Sequence, residues 1–251
     1  MHPESDPDPS WVAGLADGSL ARAERRIEEA KARTALYRHL AREHAREGRS
    51  SFVEIDAPLE LHALVRELEP RHVVEVGVSS GVSSAYLLDA LELNGAGTLH
   101  SVDLPRLAPH RTRGSKYGSW TLPPGRSSGW AVPFRLRRRW DLRLGDKREV
   151  LPLLAAELPD IELFVYDVPH DDEGALREFL GLDARMAPGA VAIADHGPTA
   201  GLCDALRRWA RTRRATPLRR EGLGLYGFRC GRAAGPRPFP GRRSATGSRQ
   251  S

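Results

Sequence analysis

The run Val73-Val74-Glu75-Val76-Gly77-Val78-Ser79-Ser80-Gly81-Val82-Ser83-Ser84 constrains the fold more than any other part of the chain. Its opening residues are β-branched and apolar, as in a strand buried on both faces of a parallel sheet. Gly77 and Gly81 punctuate the strand, and Ala85-Tyr86-Leu87-Leu88-Asp89-Ala90-Leu91 continues as a helix. A strand that ends in a glycine-serine turn and enters a helix leaves backbone N–H groups and the positive helix end at the carboxyl edge of a sheet. Open α/β sheets bind their ligands at that edge. The next apolar segment, Thr98-Leu99-His100-Ser101-Val102-Asp103, ends in a carboxylate one strand over.

Three functional patterns compete for this turn. A dinucleotide-binding G-x-G-x-x-G would place glycines where the chain has Gly77, Ser79 and Val82, so two positions fail. The hydrolase elbow G-x-S-x-G is matched by Gly77, Ser79 and Gly81, with Asp and His residues following in the expected order. That elbow normally follows several strands and an oxyanion-hole loop, whereas only a helical region precedes this strand. An S-adenosylmethionine turn asks for acid-x-Gly-x-small-x-Gly and a second acid one strand later. Glu75, Gly77, Ser79, Gly81 and Asp103 satisfy every position of it. A plain βα turn gives no reason for an acid where a ribose would need one, so the third pattern fits best.

The chain has 251 residues, enough for one domain with attached segments and a real core. Two cysteines, Cys203 and Cys230, exclude a disulfide framework or a cysteine-based zinc site and fit a reducing compartment. No run approaches the ~18 apolar residues of a membrane helix. The first residues, His2-Pro3-Glu4-Ser5-Asp6-Pro7, lack the basic and apolar regions of a signal peptide. A cytoplasmic protein with no membrane partner is the expectation. The net charge of +5 is uneven, with thirteen arginines against the single Glu221 from Arg207 onward. Such a block can mark nucleic-acid contact. However, lysine is scarce along the whole chain and no aromatic interleaving accompanies the run, so composition explains it better and nucleic acid is not the expected partner.

Residues 1–18 are expected to be disordered, 19–69 to form N-terminal helices, 70–230 to form the main domain and 231–251 to be a disordered basic tail. Within 19–47, Leu20, Ala23, Ile27, Ala30, Thr34, Tyr37 and Ala41 recur at helical spacing, a narrow seam suited to packing on the core, a site cover or a homo-oligomer contact. Pro58 opens a shorter helix with Asp56 as a candidate cap. Strands near 72–77, 98–103, 140–144, 161–167 and 189–195 alternate with helices near 82–93, 147–157, 172–186 and 200–212. A final pair near 214–219 and 224–229 could close the sheet as antiparallel strands. The expected fold is therefore α/β, a doubly wound and mostly parallel seven-stranded sheet. Residues 104–139 break the rhythm and carry Tyr117, Trp120, Trp130 and Phe134, as a lid over a substrate site would. Arg135, Arg137, Arg138 and Arg139 read as a solvated helix face or, alternatively, an anion contact.

Two further strand ends carry acids. Tyr166-Asp167-Val168-Pro169-His170-Asp171 closes the strand at 161–167, and Ile193-Ala194-Asp195-His196 closes that at 189–195. Neighbouring parallel strands lie ~4.8 Å apart, so these side chains converge above the sheet. Asp167, Asp195 and His196 could share a divalent cation, Mg²⁺ by the carboxylates or Mn²⁺ by the imidazole. Asp195 could instead cap the following helix. His170, at the same edge, could act as a proton acceptor or simply bond its acidic neighbours. Asp146, in Leu144-Gly145-Asp146, could meet an adenine amino group, cap the helix from Lys147, or do both.

From about Phe52 to Phe228 the chain resembles the class I S-adenosylmethionine-dependent methyltransferases, in their Rossmann-like fold. The resemblance rests on residues 73–81 for the cofactor turn, Ser101-Val102-Asp103 for ribose and Leu144-Gly145-Asp146 for adenine. The block Leu163-Phe164-Val165-Tyr166-Asp167-Val168-Pro169-His170-Asp171-Asp172-Glu173-Gly174 resembles the Asp-Gly-Asp-His-Ser-Tyr-Glu-Gly signature of a small-molecule O-methyltransferase branch. Ala187-Pro188-Gly189 through Asp195-His196 resembles its fifth-strand turn. That branch includes metal-dependent enzymes acting on catechol-like and macrolide-sugar hydroxyls. The resemblance implies cofactor contacts at Glu75, Gly77, Ser79, Ser80, Gly81, Asp103 and Asp146, metal ligands at Asp167, Asp195 and His196, and His170 as a base working with Asp167. Val168-Pro169 stands where the branch has Gly-Asp, and His196 where it has Asn or Asp. The implied activity is O-methylation of a small hydroxylated metabolite, of the kind met in natural-product tailoring. A metal-independent methyltransferase with a histidine base, a serine hydrolase using Ser79 and a non-catalytic cofactor-binding protein are the alternatives.

Overall fold

The computed structural model describes residues 6–47, 57–105, 122–168, 172–195 and 202–231. Seven strands form one sheet: β1 (His72–Val76), β2 (Thr98–Asp103), β3 (Trp140–Leu144), β4 (Ile161–Tyr166), β5 (Met186–Asp195), β6 (Pro217–Arg220) and β7 (Leu225–Arg229). Their order is β3-β2-β1-β4-β5-β7-β6. β1 to β5 run parallel, while β7 pairs antiparallel with both β5 and β6. This is the seven-stranded, mostly parallel Rossmann-like methyltransferase fold. The order reverses at β1 and β4, so the crevice of the switch point opens above the glycine turn.

Helices cover both faces. α1 (Pro9–Ala16), α2 (Leu20–Lys31), α3 (Thr34–Arg46), α4 (Pro58–Leu68) and α5 (Val82–Asn94) precede or follow β1. α6 (Lys147–Glu157), α7 (Asp172–Asp183) and α8 (Asp204–Thr212) complete the set, and a 3₁₀ helix, η1 (Phe134–Arg139), leads into β3. The period-two alternation of each strand sorts its residues into two cores. Val73, Leu99, Leu163, Val165, Val191 and Ile193 meet the N-terminal helices and α5. Val74, Val76, Val102, Phe164, Tyr166, Ala192 and Ala194 meet α6, α7 and α8. An edge-on aromatic ladder ties the second core together, with ring centroids 4.9 Å apart for Phe164 and Phe179, 4.8 Å for Phe179 and Trp209, and 5.7 Å for Trp209 and Phe228.

The N-terminal third departs from expectation. Residues 9–16, taken as disordered from their Pro- and acid-rich context, form α1. Asp8 caps it by accepting from the N–H groups of Ser10 (2.9 Å) and Trp11 (3.2 Å), and Pro9 sits at its first position. Trp11, Val12 and Leu15 are buried, and the Trp11 indole donates to the Leu218 carbonyl at 3.0 Å. The single helix expected over 19–47 is two, broken at Ala32-Arg33. Ala23, Ile27 and Ala30 are buried as expected, but beyond the break the buried positions are Leu36, Leu40 and His44 rather than Thr34, Tyr37 and Ala41. At the break, the Arg33 guanidinium reaches Asp89 on α5 in two bonds of 2.6 and 3.0 Å. Burial alone would raise the Asp89 carboxyl, but His62 and Arg33 hold it well below the usual carboxylate range. Asp56, the candidate cap of α4, lies outside the described residues, and Ala57 occupies the cap position without a side-chain bond.

Among the described residues, no helix is long and apolar enough to cross a membrane. Among the described residues Cys203 and Cys230 form no disulfide, and burial pushes the Cys230 thiol up to about 11. Of the arginines before β3, Arg138 and Arg139 bind Glu92, Arg135 approaches Asp89, and Arg137 donates to backbone carbonyls. Arg135, Arg138 and Arg139 thus tie η1 to α5, and Arg137 ties it to the segment before it.

Candidate active site

The glycine turn sits at the carboxyl end of β1, between the ends of β2 and β4. Gly77 donates to the Val102 carbonyl at 2.9 Å and has φ +96°, and a Cβ there would lie 2.0 Å from the carbonyl oxygen of Asp167. Gly81, at φ +93°, opens α5, and its missing Cβ admits Val132, whose Cγ2 would be 2.5 Å away. Ser79 between them is also left-handed, at φ 51°. Only backbone fits this closely at the start of the helix, which is the arrangement that lets a ligand approach N–H groups directly.

Glu75 lies beneath the turn rather than in it. It is fully buried, and its two oxygens accept from the hydroxyls of Ser83, Ser84 and Ser101, each at 2.7 Å. Trp140 extends the chain by donating to Ser101 at 2.8 Å. The acid therefore fastens the first turn of α5 to β2. Burial raises its pKa to about 6, against the lowering effect of the three hydroxyls. A carboxyl whose folded pKa exceeds its unfolded value near 4.5 loses stability for the fold as pH rises through that window. Wild-type stability relative to Glu75→Gln, which does not titrate, should fall by about 2 kcal/mol between pH 4 and pH 7. Denaturant midpoints across that range measure the difference, and parallel curves would refute it.

Asp103, at the end of β2, accepts from the Val78 N–H at 3.2 Å through Oδ1 and from the Ser128 hydroxyl through Oδ2. It is half-buried and stands against the turn. Asp146 caps α6, accepting from the Arg148 N–H at 2.8 Å, and its ion pair with Arg148 holds its carboxyl down to about 2. It remains half-exposed at the same edge, so the capping role leaves it open to a ligand. The register Tyr166↔Ala194 brings Asp167 and Asp195, the next residues, side by side on neighbouring strands. His170 and His196 lie outside the described residues, as do Tyr117 and Trp120. Among the described residues, no group of three or more His, Cys, Asp or Glu side chains is placed to hold a metal ion.

Several neighbours of the turn carry no signal in the sequence pattern. Ser80 bonds His44 of α3 at 2.8 Å. The other ring nitrogen of His44, Nδ1, donates to the Leu40 carbonyl at 2.9 Å, so the ring is held from both sides. Both residues are buried, at 1% and 3% exposure, so this serine–histidine pair anchors α3 to the turn. Trp130 packs on His44 at 4.9 Å, buried against the turn, whereas Phe134 is 90% exposed. On the opposite face of the sheet, Lys147 donates to Tyr166 at 2.8 Å and pairs with Glu178 at 2.8 Å, fixing α6 and α7 just behind the strand that ends in Asp167. The helical stripe could have suggested His44 only if the break at Ala32-Arg33 had been recognised.

Residues 74–196, which hold the turn and the acids Glu75, Asp103, Asp146, Asp167 and Asp195, match the family model of a methyltransferase domain. Among curated proteins no sequence match is found. Solved structures with the same fold include an O-methyltransferase from Bacillus cereus in complex with SAH, 18% identical, with a TM-score of 0.53 over 78% of this chain and 90% of that one. The O-methyltransferase TomG from Streptomyces achromogenes, involved in tomaymycin synthesis and solved with SAM, is 18% identical at TM-score 0.53, covering 78% and 89%. A methyltransferase from Geobacter sulfurreducens is 17% identical at TM-score 0.51, covering 78% and 89%. The chain thus carries a region similar to the methyltransferase domain, in the fold of the Rossmann-like methyltransferases.

Proposed function

We propose that this chain is an S-adenosylmethionine-dependent methyltransferase that methylates a hydroxyl of a small metabolite. Asp103 carries the reading: a carboxylate from β2 held against the glycine turn by the Val78 N–H, with the start of α5 beside it. The match to a methyltransferase domain, and neighbours solved with SAM or SAH, support the same cofactor. The groups present fit it, since Asp103 offers a half-buried carboxylate at the sheet edge beside the start of α5.

When bound, S-adenosylmethionine supplies a methyl group made electrophilic by the sulfonium. The chain's own part is alignment and proton handling. Asp103 accepts the ribose hydroxyls, the backbone from Gly77 to Gly81 approaches the cofactor without side chains in the way, and Asp146 accepts from the adenine amino group. Holding the acceptor oxygen in line with the methyl carbon contributes several kcal/mol, because the orientation is fixed beforehand. His170 would take the proton of the acceptor hydroxyl. Two carboxylates and an imidazole suit Mg²⁺ or Mn²⁺, which Asp167, Asp195 and His196 would hold and which would lower the pKa of the acceptor hydroxyl. The tomaymycin-pathway neighbour favours a natural-product acceptor.

Methyl transfer to a panel of small phenols and sugar hydroxyls tests the reading. Asp167→Ala should lose turnover by about 100-fold or more while binding S-adenosylmethionine as the wild type does. Chelation should abolish turnover and Mg²⁺ or Mn²⁺ restore it. Full activity in chelator-treated protein would remove the metal and leave the histidine base.

A further inference from the structure

A strap from the segment between β2 and β3 lies across the glycine turn. The Gly129 N–H donates to the Ser79 carbonyl at 2.8 Å, and the Ala131 N–H to the Ser80 carbonyl at 3.0 Å. Arg137 fastens the strap's carbonyls, donating to Gly129 at 3.1 Å and to Val132 at 3.2 Å. From the far side α3 holds it, with His39 at 3.1 Å from the Ala131 carbonyl and Glu47 paired with Arg126 at 2.6 Å. The fit requires glycine on both sides: a Cβ on Gly81 would lie 2.9 Å from the Gly129 Cα.

Ser128 is the strap residue next to these bonds. It is 4% exposed, and its hydroxyl donates to Oδ2 of Asp103 while the Val78 N–H donates to Oδ1. Both carboxylate oxygens are thus gripped by groups fixed to the turn, one from the turn itself and one from the strap bonded to it. A carboxylate has about four acceptor sites, so neither the Val78 bond nor the Ser128 bond by itself excludes a ribose hydroxyl.

We propose that Ser128 is a positioning residue for cofactor binding, holding the Asp103 carboxylate in the orientation that meets the ribose hydroxyls. This inference rests on the cofactor reading above. The opposite role is a latch, in which the Ser128 hydroxyl stands where a ribose hydroxyl would go and must leave before the cofactor binds. The two roles differ in sign: a positioning residue strengthens binding and a latch weakens it.

The test is calorimetric titration of the full chain with S-adenosylhomocysteine and with its 2′,3′-dideoxyribose analogue. Ser128→Ala should weaken S-adenosylhomocysteine about tenfold, the size expected for one hydrogen bond to a charged group, and leave the dideoxy analogue unchanged. The ratio of the two affinities is internal to each variant, so a general loss of stability does not imitate the effect. The near-isosteric pair Ser128→Thr and Ser128→Val isolates the hydroxyl: the ratio should be kept in the first and lost in the second. Tighter or unchanged binding of S-adenosylhomocysteine in Ser128→Ala, or an equal loss for both ligands, would overturn the proposal. Wild-type protein that binds neither ligand would overturn the cofactor reading itself, and this inference with it.

Discussion

Replacing Gly77 with alanine should remove cofactor binding and lower stability by about 3 kcal/mol or more. The new methyl group would stand 2.0 Å from the Asp167 carbonyl oxygen and 2.9 Å from its carbonyl carbon, contacts that no rotamer change relieves because both partners are backbone. The residue would also be forced to hold φ +96°, which a β-carbon disfavours. Relief requires β1 and β4 to separate at the point where the Asp167 N–H donates to the Val76 carbonyl at 2.9 Å. Gly222→Ala is the matched control. Gly222 has φ +82° and nothing within 4 Å of its added Cβ, so that variant bears the backbone strain alone, about 1 kcal/mol. Melting curves of the two variants measure the difference. A Gly77→Ala protein that melts with its control would contradict the packing at this turn.

The second large effect falls on binding. Asp103→Ala should weaken S-adenosylmethionine by about 100-fold, as expected when two hydrogen bonds to a charged acceptor are lost. Stability should fall only by about 1–2 kcal/mol, from the Val78 N–H and Ser128 hydroxyl left without their acceptor. Asp103→Asn keeps one carbonyl oxygen and should lie between the two. Titration calorimetry separates these arms, and an Asp103→Ala protein with wild-type affinity would remove Asp103 from the site.

The central strands β1, β2 and β4 were legible in the sequence because they are buried on both faces and end in, or run into, a glycine or an acid. The expected segments at 98–103, 140–144 and 147–157 coincide with β2, β3 and α6, and the antiparallel pair at the end of the chain is β6 and β7. Helix α1 had a readable signature, Asp8-Pro9 as cap and first position with Trp11, Val12 and Leu15 on one face, but the composition around it masked the pattern. The break between α2 and α3 carried no such signature. Arg33, at the break, pairs with the buried Asp89, a tertiary contact across 56 positions that no local pattern announces. The site divides the same way. Gly77, Gly81 and Asp103 were legible because their chemistry is local to one turn and the neighbouring strand. Glu75 was read as a cofactor contact, but it lies beneath the turn, and its burial under three serines depends on which face of β1 meets α5. Ser128, Trp130 and His44 reach the turn from an irregular segment and a re-phased helix, where no periodicity announces a partner.

Calorimetric titration of the intact chain with S-adenosylmethionine tests the central claim most directly. The account predicts one site of micromolar affinity, competed by S-adenosylhomocysteine. A folded protein that takes up no heat from either ligand would contradict it.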